Sequence, residues 1–143
     1  MTETVAVAAD HGGYDLKSAL VPELRALGFD VLDLGTYGPD SVDYPNFAAA
    51  VSQAITDGKA QRGLLICGTG IGMSIAVNRH RNLRCALVHD VTTARLARLH
   101  NDANVLALGG RILGTEVAKD CVKTFFTTAF EGGRHARRVA LLS

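Results

Sequence analysis

The sequence predicts an α/β protein in which helices cover both faces of a parallel sheet, giving a three-layer α/β/α sandwich. The first observation is that short apolar runs alternate with helical patterns five times along the chain. The second is a length of 143 residues, which suits one domain, so residues 1–143 are expected to form a single domain. The third is the composition, with 48% hydrophobic and 20% charged residues, which is typical of a globular protein.

The five strands are predicted from short runs of apolar residues. Strands of a parallel sheet are buried on both faces and therefore appear as continuous apolar runs. The predicted strands are Val5–Ala9, Phe29–Leu34, Leu64–Cys67, Arg84–Val88 and Asn104–Leu108. Since strand and helix alternate, right-handed crossovers should join successive strands.

The first two helices are bounded by glycine and proline. Their apolar patterns are Leu16–Leu27 and Phe47–Ile55. Gly28 closes the first, whereas Pro22 falls inside it and should kink the helix or mark a later start. Pro45 enters the second helix and Gly58 closes it.

Three further helices and a tail helix complete the series. The three are Ile71–Arg79, Asp90–Leu99 and Glu116–Phe126. Asp90 is a suitable N-cap for the second of them, and Thr115 precedes the third. A Gly-Gly pair at 132–133 places a helix start in the tail.

Charge and hydropathy argue against nucleic-acid and membrane partners. The net charge is +1 and the 15 lysines and arginines are spread along most of the chain, whereas nucleic-acid binding needs a basic stripe. No run approaches the ~20 apolar residues that a membrane helix needs, and residues 1–10 show no basic segment before their apolar stretch. A soluble, cytoplasmic protein is therefore expected.

The cysteines and histidines show no disulfide or metal pattern. Cys67, Cys85 and Cys121 are widely separated, and none forms a Cys-x-x-Cys pair. At least two of them should lie in the core. The five histidines show no His-x-x-x-His or His-Glu-x-x-His spacing, so no metal is expected.

Three predicted strand ends combine glycines with reactive side chains. They are Asp10-His11-Gly-Gly13, Cys67-Gly-Thr-Gly-Ile-Gly72 and Gly109-Gly-Arg111. Ligands of doubly wound α/β folds bind beyond the carboxyl ends of the strands, where such turns lead into helices. This edge of the sheet is therefore the predicted site.

Cys67 stands at a strand end beside a predicted helix N-terminus, whose dipole and amides favour a thiolate. The glycines that follow let backbone N–H groups approach an anion, so the loop could stabilise an enediolate or bind a phosphate. A tight turn in which Cys67 is merely buried fits the spacing equally well.

Other glycine-loop functions fit the residues 67–73 poorly. A dinucleotide fingerprint needs Gly-x-Gly-x-x-Gly, but the third glycine comes one residue early and Met73 takes its place. A nucleotide-triphosphate loop would end in Gly-Lys-Ser/Thr, which is absent. A cysteine phosphatase would need an arginine where Met73 stands.

Asp10, His11 and His100 each have a catalytic and a structural interpretation. Asp10 and His11 could orient sugar hydroxyls and meet a phosphate, or Asp10 could cap the following helix with His11 solvated. His100, next to Asn101, could be a general acid or a cation favoured at a helix C-terminus.

The tail predicts a phosphate grip. Arg134 and Arg138 are spaced i, i+4, so they share a helix face and could hold one phosphate, which we favour over a solvated terminus. Tyr44 could also contribute to the site. The residues expected at the surface are His80, His89, His135 and Arg137.

Five motifs follow one another along the chain. They are Asp10-His11-Gly-Gly, Asp43-Tyr44-Pro45, Cys67-Gly-Thr-Gly-Ile-Gly72, His100-Asn101-Asp102-Ala-Asn104-Val and Glu131-Gly-Gly-Arg134-His135. In this order they resemble the type B ribose-5-phosphate isomerase family, which also includes allose- and galactose-phosphate isomerases. The resemblance implies a Rossmann-like five-stranded sandwich, no metal or other cofactor, and a homodimer or sometimes a tetramer.

The resemblance also implies a role for each motif. Cys67 would be the base that moves a proton between C2 and C1, and Thr69 with His100 would open the furanose ring. The anion hole for the enediolate would comprise Gly68, Thr69, Gly70, Ile71 and Gly72. The matching substrate- and phosphate-binding positions are Asp10, His11, Asn101, Arg111, Arg134 and Arg138.

Residue chemistry and resemblance together predict an aldose–ketose isomerase, converting ribose 5-phosphate to ribulose 5-phosphate through an enediolate. One alternative is an isomerase of six-carbon aldose 6-phosphates of the allose or galactose type. Another is a non-catalytic sugar-phosphate sensor on the same fold.

Strand direction predicts that the active site is shared between subunits. Cys67 lies at the carboxyl edge of the sheet, whereas the helix that starts at Asp90 runs back about 16 Å and delivers His100 and Asn101 to the opposite edge. A neighbouring subunit in a two-fold dimer would then supply His100.

Overall fold

Five parallel strands form one sheet in the computed structural model, which describes residues 2–143. The strands are β1 (Thr4–Ala9), β2 (Asp30–Asp33), β3 (Arg62–Cys67), β4 (Cys85–Leu87) and β5 (Val105–Gly109). Their order across the sheet is β2-β1-β3-β5-β4, with every neighbouring pair parallel. The predicted parallel sheet is confirmed.

Six helices alternate with or follow the strands within the described residues. They are α1 (Tyr14–Ala26), α2 (Tyr44–Thr56), α3 (Ile71–Val77), α4 (Val91–Asn101), α5 (Thr115–Thr127) and α6 (Arg134–Ala140). None of these helices is long and apolar enough to cross a membrane.

Pro22 does not delay the first helix, so the predicted later start is wrong. The helix α1 begins at Tyr14 and continues past Pro22, which is exposed on its outer side. The apolar face of α1 buries Leu16, Leu20 and Leu24. This burial offsets the one backbone hydrogen bond that a proline at this position cannot donate.

The predicted helix boundaries at Asp90 and Gly28 are confirmed by their geometry. The carboxylate of Asp90 accepts a hydrogen bond from the N–H of Thr93 at 2.7 Å, which is an N-cap contact. Gly28, just after the end of α1, has a φ of +97°, the left-handed conformation that ends many helices.

Successive residues of β1 show how the sheet separates two apolar cores. Val5 and Val7 face one core with α1, α4 and α5, where Phe125 is fully buried. Ala6 and Ala8 face the other core, which is closed by α2 and α3. Helices therefore cover both faces, and the predicted three-layer α/β/α sandwich is confirmed.

The strand order leaves a crevice at the carboxyl edge between β1 and β3. From β1 the chain passes to β2 on one side, and β3 lies on the other. The following helices α1 and α3 lie on opposite faces of the sheet. In open α/β sheets a ligand binds at such a switch point, where the two predicted motifs at Asp10 and Cys67 end their strands.

Candidate active site

The loops after β3 and β5 are tied together at the carboxyl edge of the sheet. The N–H of Gly110 donates to the carbonyl of Cys67 at 2.8 Å, and the N–H of Arg111 donates to the carbonyl of Gly68 at 2.9 Å. The hydrogen bonding of the sheet thus continues past the strand ends. It fixes the position of Arg111 relative to the cysteine loop.

Two glycines allow the loop after β1 to pass close to its neighbours. A Cβ at Gly110 would lie 2.5 Å from the carbonyl oxygen of Gly12, and a Cβ at Gly13 would overlap the carbonyl group of Ile66. Both obstacles are backbone atoms, so no side-chain rotation could relieve the overlap. Glycine is therefore required where these loops and the start of α1 meet.

The sulfur of Cys67 accepts a hydrogen bond from Gly70, the N-cap residue of α3. Its Sγ lies 3.1 Å from the N–H nitrogen of Gly70, and the side chain is 5% exposed. In the same turn, the hydroxyl of the exposed Thr69 accepts from the N–H of Ile71 at 3.2 Å. The tight turn that was expected if Cys67 is merely buried is therefore present. An amide donor in this position is also the kind of group that stabilises a thiolate.

The other two cysteines lie in surroundings that favour the thiol. Burial, with a smaller contribution from nearby Cys67, raises the pKa of Cys85 to about 12. Burial also raises the pKa of Cys121 to about 11. Cys67 and Cys121 are both buried, which confirms that at least two cysteines lie in the core.

Two large side chains rest on the glycines of the loop 68–72. A Cβ at Gly72 would lie 2.5 Å from the ring of Tyr44, and a Cβ at Gly68 would lie 3.4 Å from the guanidinium of Arg111. Tyr44 is 40% exposed. The ring and the guanidinium therefore form two walls against the backbone of the loop, and both still reach solvent.

Asp10 and His11 are held by the backbone at the end of β1. One carboxylate oxygen of the buried Asp10 accepts from the N–H groups of Gly12 and Gly13 at 2.9 and 3.1 Å. Nδ1 of His11 accepts from the N–H of Val42 at 3.2 Å. An accepting Nδ1 leaves the proton of the neutral ring on Nε2, which is then a donor. One carboxylate oxygen of Asp10 thus fixes its own loop, and His11 is fixed rather than freely solvated.

A second group of predicted residues lies at the opposite edge of the sheet. The end of α4 and the last helix α6 enclose a cavity of about 280 Å³. We call it the C-terminal pocket; it is lined by His100, Asn101, His135, Arg138, Val139 and Leu142. Arg134 is exposed in the first turn of α6, one turn before Arg138.

One chain therefore does not bring all predicted site residues together. The first group, at the carboxyl edge, comprises Asp10, His11, Tyr44, Cys67, Gly68, Thr69, Gly70, Ile71, Gly72 and Arg111. The second comprises His100, Asn101, Arg134 and Arg138. The 11 residues of α4 separate the two groups by about 16 Å along the helix. The predicted direction of this helix is confirmed.

His135 is buried, so its predicted surface position is wrong. Only 6% of the residue is exposed, because α6 folds back onto α4 and presses this side chain against His100. The other three residues expected at the surface, His80, His89 and Arg137, are exposed.

The fold also brings together three groups that sequence spacing did not connect. His100, Glu131 and His135 each place one potential metal-ligand atom within 4.8 Å of the others. The two imidazole rings are stacked at 4.3 Å with planes 18° apart, so their in-plane lone pairs lie in two separate, nearly parallel planes. They would have to turn before both could reach one ion at the usual distance of about 2.0–2.1 Å.

The fold and the carboxyl-edge site define a class of protein. It is a doubly wound α/β sandwich whose switch point holds a hydrogen-bonded thiol, a glycine loop and an arginine, a set suited to an anionic substrate. The ribose/galactose isomerase family model matches residues 5–142. The chain belongs to this family.

Related proteins and solved structures match nearly the whole length of this chain and support the assignment. Ribose-5-phosphate isomerase B of Escherichia coli is 41% identical over 97% of this chain and 93% of its own length. D-erythrulose-4-phosphate isomerase of Pectobacterium atrosepticum is 41% identical over 95% of this chain and 90% of its own. The structure of a ribose 5-phosphate isomerase from Thermotoga maritima is 47% identical, covers 99% of this chain and 98% of that one, and superposes with a TM-score of 0.95.

Proposed function

We propose that the protein is an aldose–ketose isomerase of phosphorylated sugars, with ribose 5-phosphate as its substrate and ribulose 5-phosphate as its product. The observation that carries the proposal is the hydrogen bond from Gly70 N–H to the sulfur of Cys67 at the mouth of the glycine loop. The family membership and the names of the relatives support the same reaction.

The first step is opening of the furanose ring. As the C1–O4 bond breaks, His100 donates a proton to O4, and the anomeric hydroxyl passes its proton through the exposed hydroxyl of Thr69 to water. The open chain then has an aldehyde at C1. This division of work needs one donor and one acceptor on opposite sides of the bond.

The second step moves hydrogen from C2 to C1. Cys67, as a thiolate, takes the proton from C2, and the electrons of that C–H bond form the enediolate. The thiol then returns the proton to C1 while the O2 proton passes to O1, which gives the ketose. The N–H groups of the loop 68–72 stabilise the negative oxygen of the intermediate.

The polar residues around the loop and in the tail bind the substrate. Asp10 and His11 orient the sugar hydroxyls, with Tyr44 as a wall. The phosphate and the far end of the sugar are held by Arg111, Asn101, Arg134 and Arg138. Guanidinium groups are suited to this task because they bind phosphate through paired, charge-assisted hydrogen bonds.

The distance between the two groups of residues supports a shared site in a two-fold homodimer. His100, Asn101 and Arg138 of one subunit would face Cys67 of the other, so each dimer would hold two complete sites. The homodimer, a possible tetramer built from it, and a cytoplasmic location are predictions of the sequence.

A panel of aldose phosphates tests the proposed substrate. We expect the highest kcat/KM for ribose 5-phosphate when it is compared with the 6-phosphates of allose and galactose and with erythrose 4-phosphate. The tetrose is included because one relative is named as an erythrulose-4-phosphate isomerase. Preference for another sugar would correct the substrate, and tight binding of every sugar without turnover would instead support a sensor.

A further inference from the structure

The C-terminal pocket contains a histidine to which the proposed reaction assigns no role. His135 is 6% exposed, and its ring stacks on that of His100 with centroids 4.3 Å apart and planes at 18°. Within residues 2–143, its Nε2 atom is buried and finds no hydrogen-bond partner. The carboxylate oxygen of Glu131 is 3.9 Å away, which is too far for a hydrogen bond. A buried polar atom without a partner is rare and requires an explanation.

Burial of Nε2 rules out direct contact between this atom and a substrate. The contact that His135 does make is with the face of the His100 ring. We propose that His135 is a positioning residue, whose ring fixes the orientation of the His100 imidazole for proton transfer to the sugar ring. The inference rests on the proposed role of His100 in ring opening.

The burial and the charges around His135 favour the neutral form of its ring. The groups that face it are His100 from α4, Glu131 from the preceding loop, and Arg134 and Arg138 from its own helix. Burial, followed by His100 and Arg134, lowers the pKa of His135, and Glu131 only partly opposes them. A neutral His135 ring can lie flat against the His100 ring without placing a second positive charge beside it.

A fixed ring matters because general acid catalysis depends on the direction of the N–H bond. His100 lies in the last turn of its helix and is partly exposed, and the ring of His135 stacks on it. Stacking holds the ring plane, and a ring that turns freely would spend only part of its time aligned with O4. Loss of the stack should therefore lower kcat while leaving the phosphate contacts that determine KM.

The first arm of the test compares variants that keep or lose a flat ring. With ribose 5-phosphate, His135→Ala and His135→Asn should lower kcat by about tenfold or more and change KM by less than about threefold. His135→Phe should restore most of the rate because it can still stack. His135→Asn is the second ring-less variant should the cavity left by alanine unfold the protein. Arg137→Ala, on the exposed side of the same helix, is the matched control and should retain the wild-type rate.

The second arm uses a sugar that needs no ring opening. Erythrose 4-phosphate cannot close a five-membered ring because its O4 carries the phosphate. A residue that acts through His100 on ring opening should therefore affect this substrate by less than about threefold, whereas a general structural defect would affect both sugars alike. His100→Asn, measured on the same two sugars, is the benchmark.

The outcomes separate the inference from the function on which it rests. If His100→Asn leaves ribose 5-phosphate turnover intact, the proposed ring opener is wrong. Suppose instead that His100→Asn is inactive. The positioning role is then wrong if the ring-less variants keep at least about a third of the wild-type kcat, or if their kcat falls by the same factor on both sugars. Should the wild-type protein not convert the tetrose, the Phe variant decides alone, and its failure to restore kcat overturns the inference.

Discussion

Cys67 and Cys121 are both buried, but their sulfurs meet different groups. Cys121 lies in the apolar core formed by α5, and its burial raises the pKa of the thiol to about 11. Cys67 lies where a strand ends and accepts the N–H of Gly70. The two buried sulfurs therefore differ in their surroundings, since Cys121 meets apolar groups and Cys67 meets an amide donor.

Replacement of the three cysteines should separate catalysis from stability. Cys67→Ala should lower kcat by at least about 100-fold, because the variant lacks the proposed base for the C2 proton. Cys85→Ala and Cys121→Ala should lower the thermal midpoint and leave kcat close to wild type. The measurement is a steady-state assay beside thermal unfolding, and a Cys67→Ala protein with near wild-type turnover would rule out the proposed base.

The arginines of α6 allow a matched test of phosphate binding. Arg138 lines the C-terminal pocket, whereas Arg137, one residue earlier, is exposed outside it. Arg138→Ala should raise KM by about 10- to 100-fold, equivalent to the ~1.5–3 kcal/mol of a charge-assisted hydrogen bond. Arg137→Ala should leave KM unchanged. Equal KM values for the two variants, or equal turnover of ribose and ribose 5-phosphate, would remove the phosphate grip.

The lowered pKa of His135 should also be visible as a pH dependence of stability. The unfolded chain binds a proton at this side chain near its ordinary pKa of 6.5, whereas the folded protein resists protonation. The folded protein therefore loses stability as the pH falls below about 6.5. Above that pH the side chain is neutral in both states, and His135 makes stability no more dependent on pH. Between pH 7.5 and 5.5, the thermal midpoint of wild type should fall more than that of His135→Phe. His80→Asn, changed at an exposed position, should behave like wild type; an identical fall in all three proteins would contradict the assignment.

Single side chains were predictable from sequence where a local pattern determines their surroundings. The strand-end position of Cys67 and the N-cap contact of Asp90 depend on neighbouring residues alone. His135 was missed because a distant helix buries it. A usable signal existed in the tail, since His135 and Val139 are spaced i, i+4 and so share one face of the helix.

Helices and strands meet closely where glycines replace side chains. At the start of α1, a Cβ on Gly13 would overlap the carbonyl group of Ile66, the residue that precedes Cys67 in β3. The position of α1 against the sheet is thereby linked to the position of the thiol. The sequence predicted both elements, but the contact between them follows from the strand order, which places β1 beside β3.

Two glycine substitutions test this contact between elements. Gly13→Ala should cost about 2 kcal/mol or more in the free energy of unfolding, because a backbone carbonyl cannot rotate away. Gly114→Ala is the matched control, since Gly114 precedes α5 with an ordinary φ of −68° and open space at its Cβ. It should change stability by no more than about 1 kcal/mol. Denaturant unfolding of both variants measures the difference, and equal values would show that the loop after β1 adapts.

At the scale of the whole molecule, one chain places the proposed site residues in two groups at opposite edges of the sheet. The thiol and its loop lie at the carboxyl edge of the sheet, and the pocket of His100 and Arg138 lies at the other end of α4. Apolar side chains beside each group are exposed, including Ile71 and Ile75 on α3 and Leu142 in the tail. The direction of the strands and of α4 predicted this separation from the sequence. No pattern in a single chain predicts how a second copy would bring the two groups together. Covering these side chains in a two-fold dimer would join the groups.

Mixing two inactive variants tests whether the site is shared. Cys67→Ala lacks the proposed base and His100→Asn lacks the proposed ring opener, so each protein alone should be inactive. After dissociation and random re-association, about half of the dimers pair one variant with the other. In such a dimer one site has lost both residues and the second has both intact. About a quarter of the wild-type activity should therefore return.

A second mixture distinguishes sharing from two independent sites in each dimer. In the second mixture, wild type is combined in equal amount with a chain that carries both Cys67→Ala and His100→Asn. If each site takes its two residues from different chains, every site of a mixed dimer contains one damaged residue. Only wild-type dimers remain active, and about a quarter of the activity should be left. If both residues came from one chain, about half should be left and the first mixture should stay inactive. Subunit exchange, verified by mass, makes either result decisive, because the shared site exists only if complementation and loss appear together.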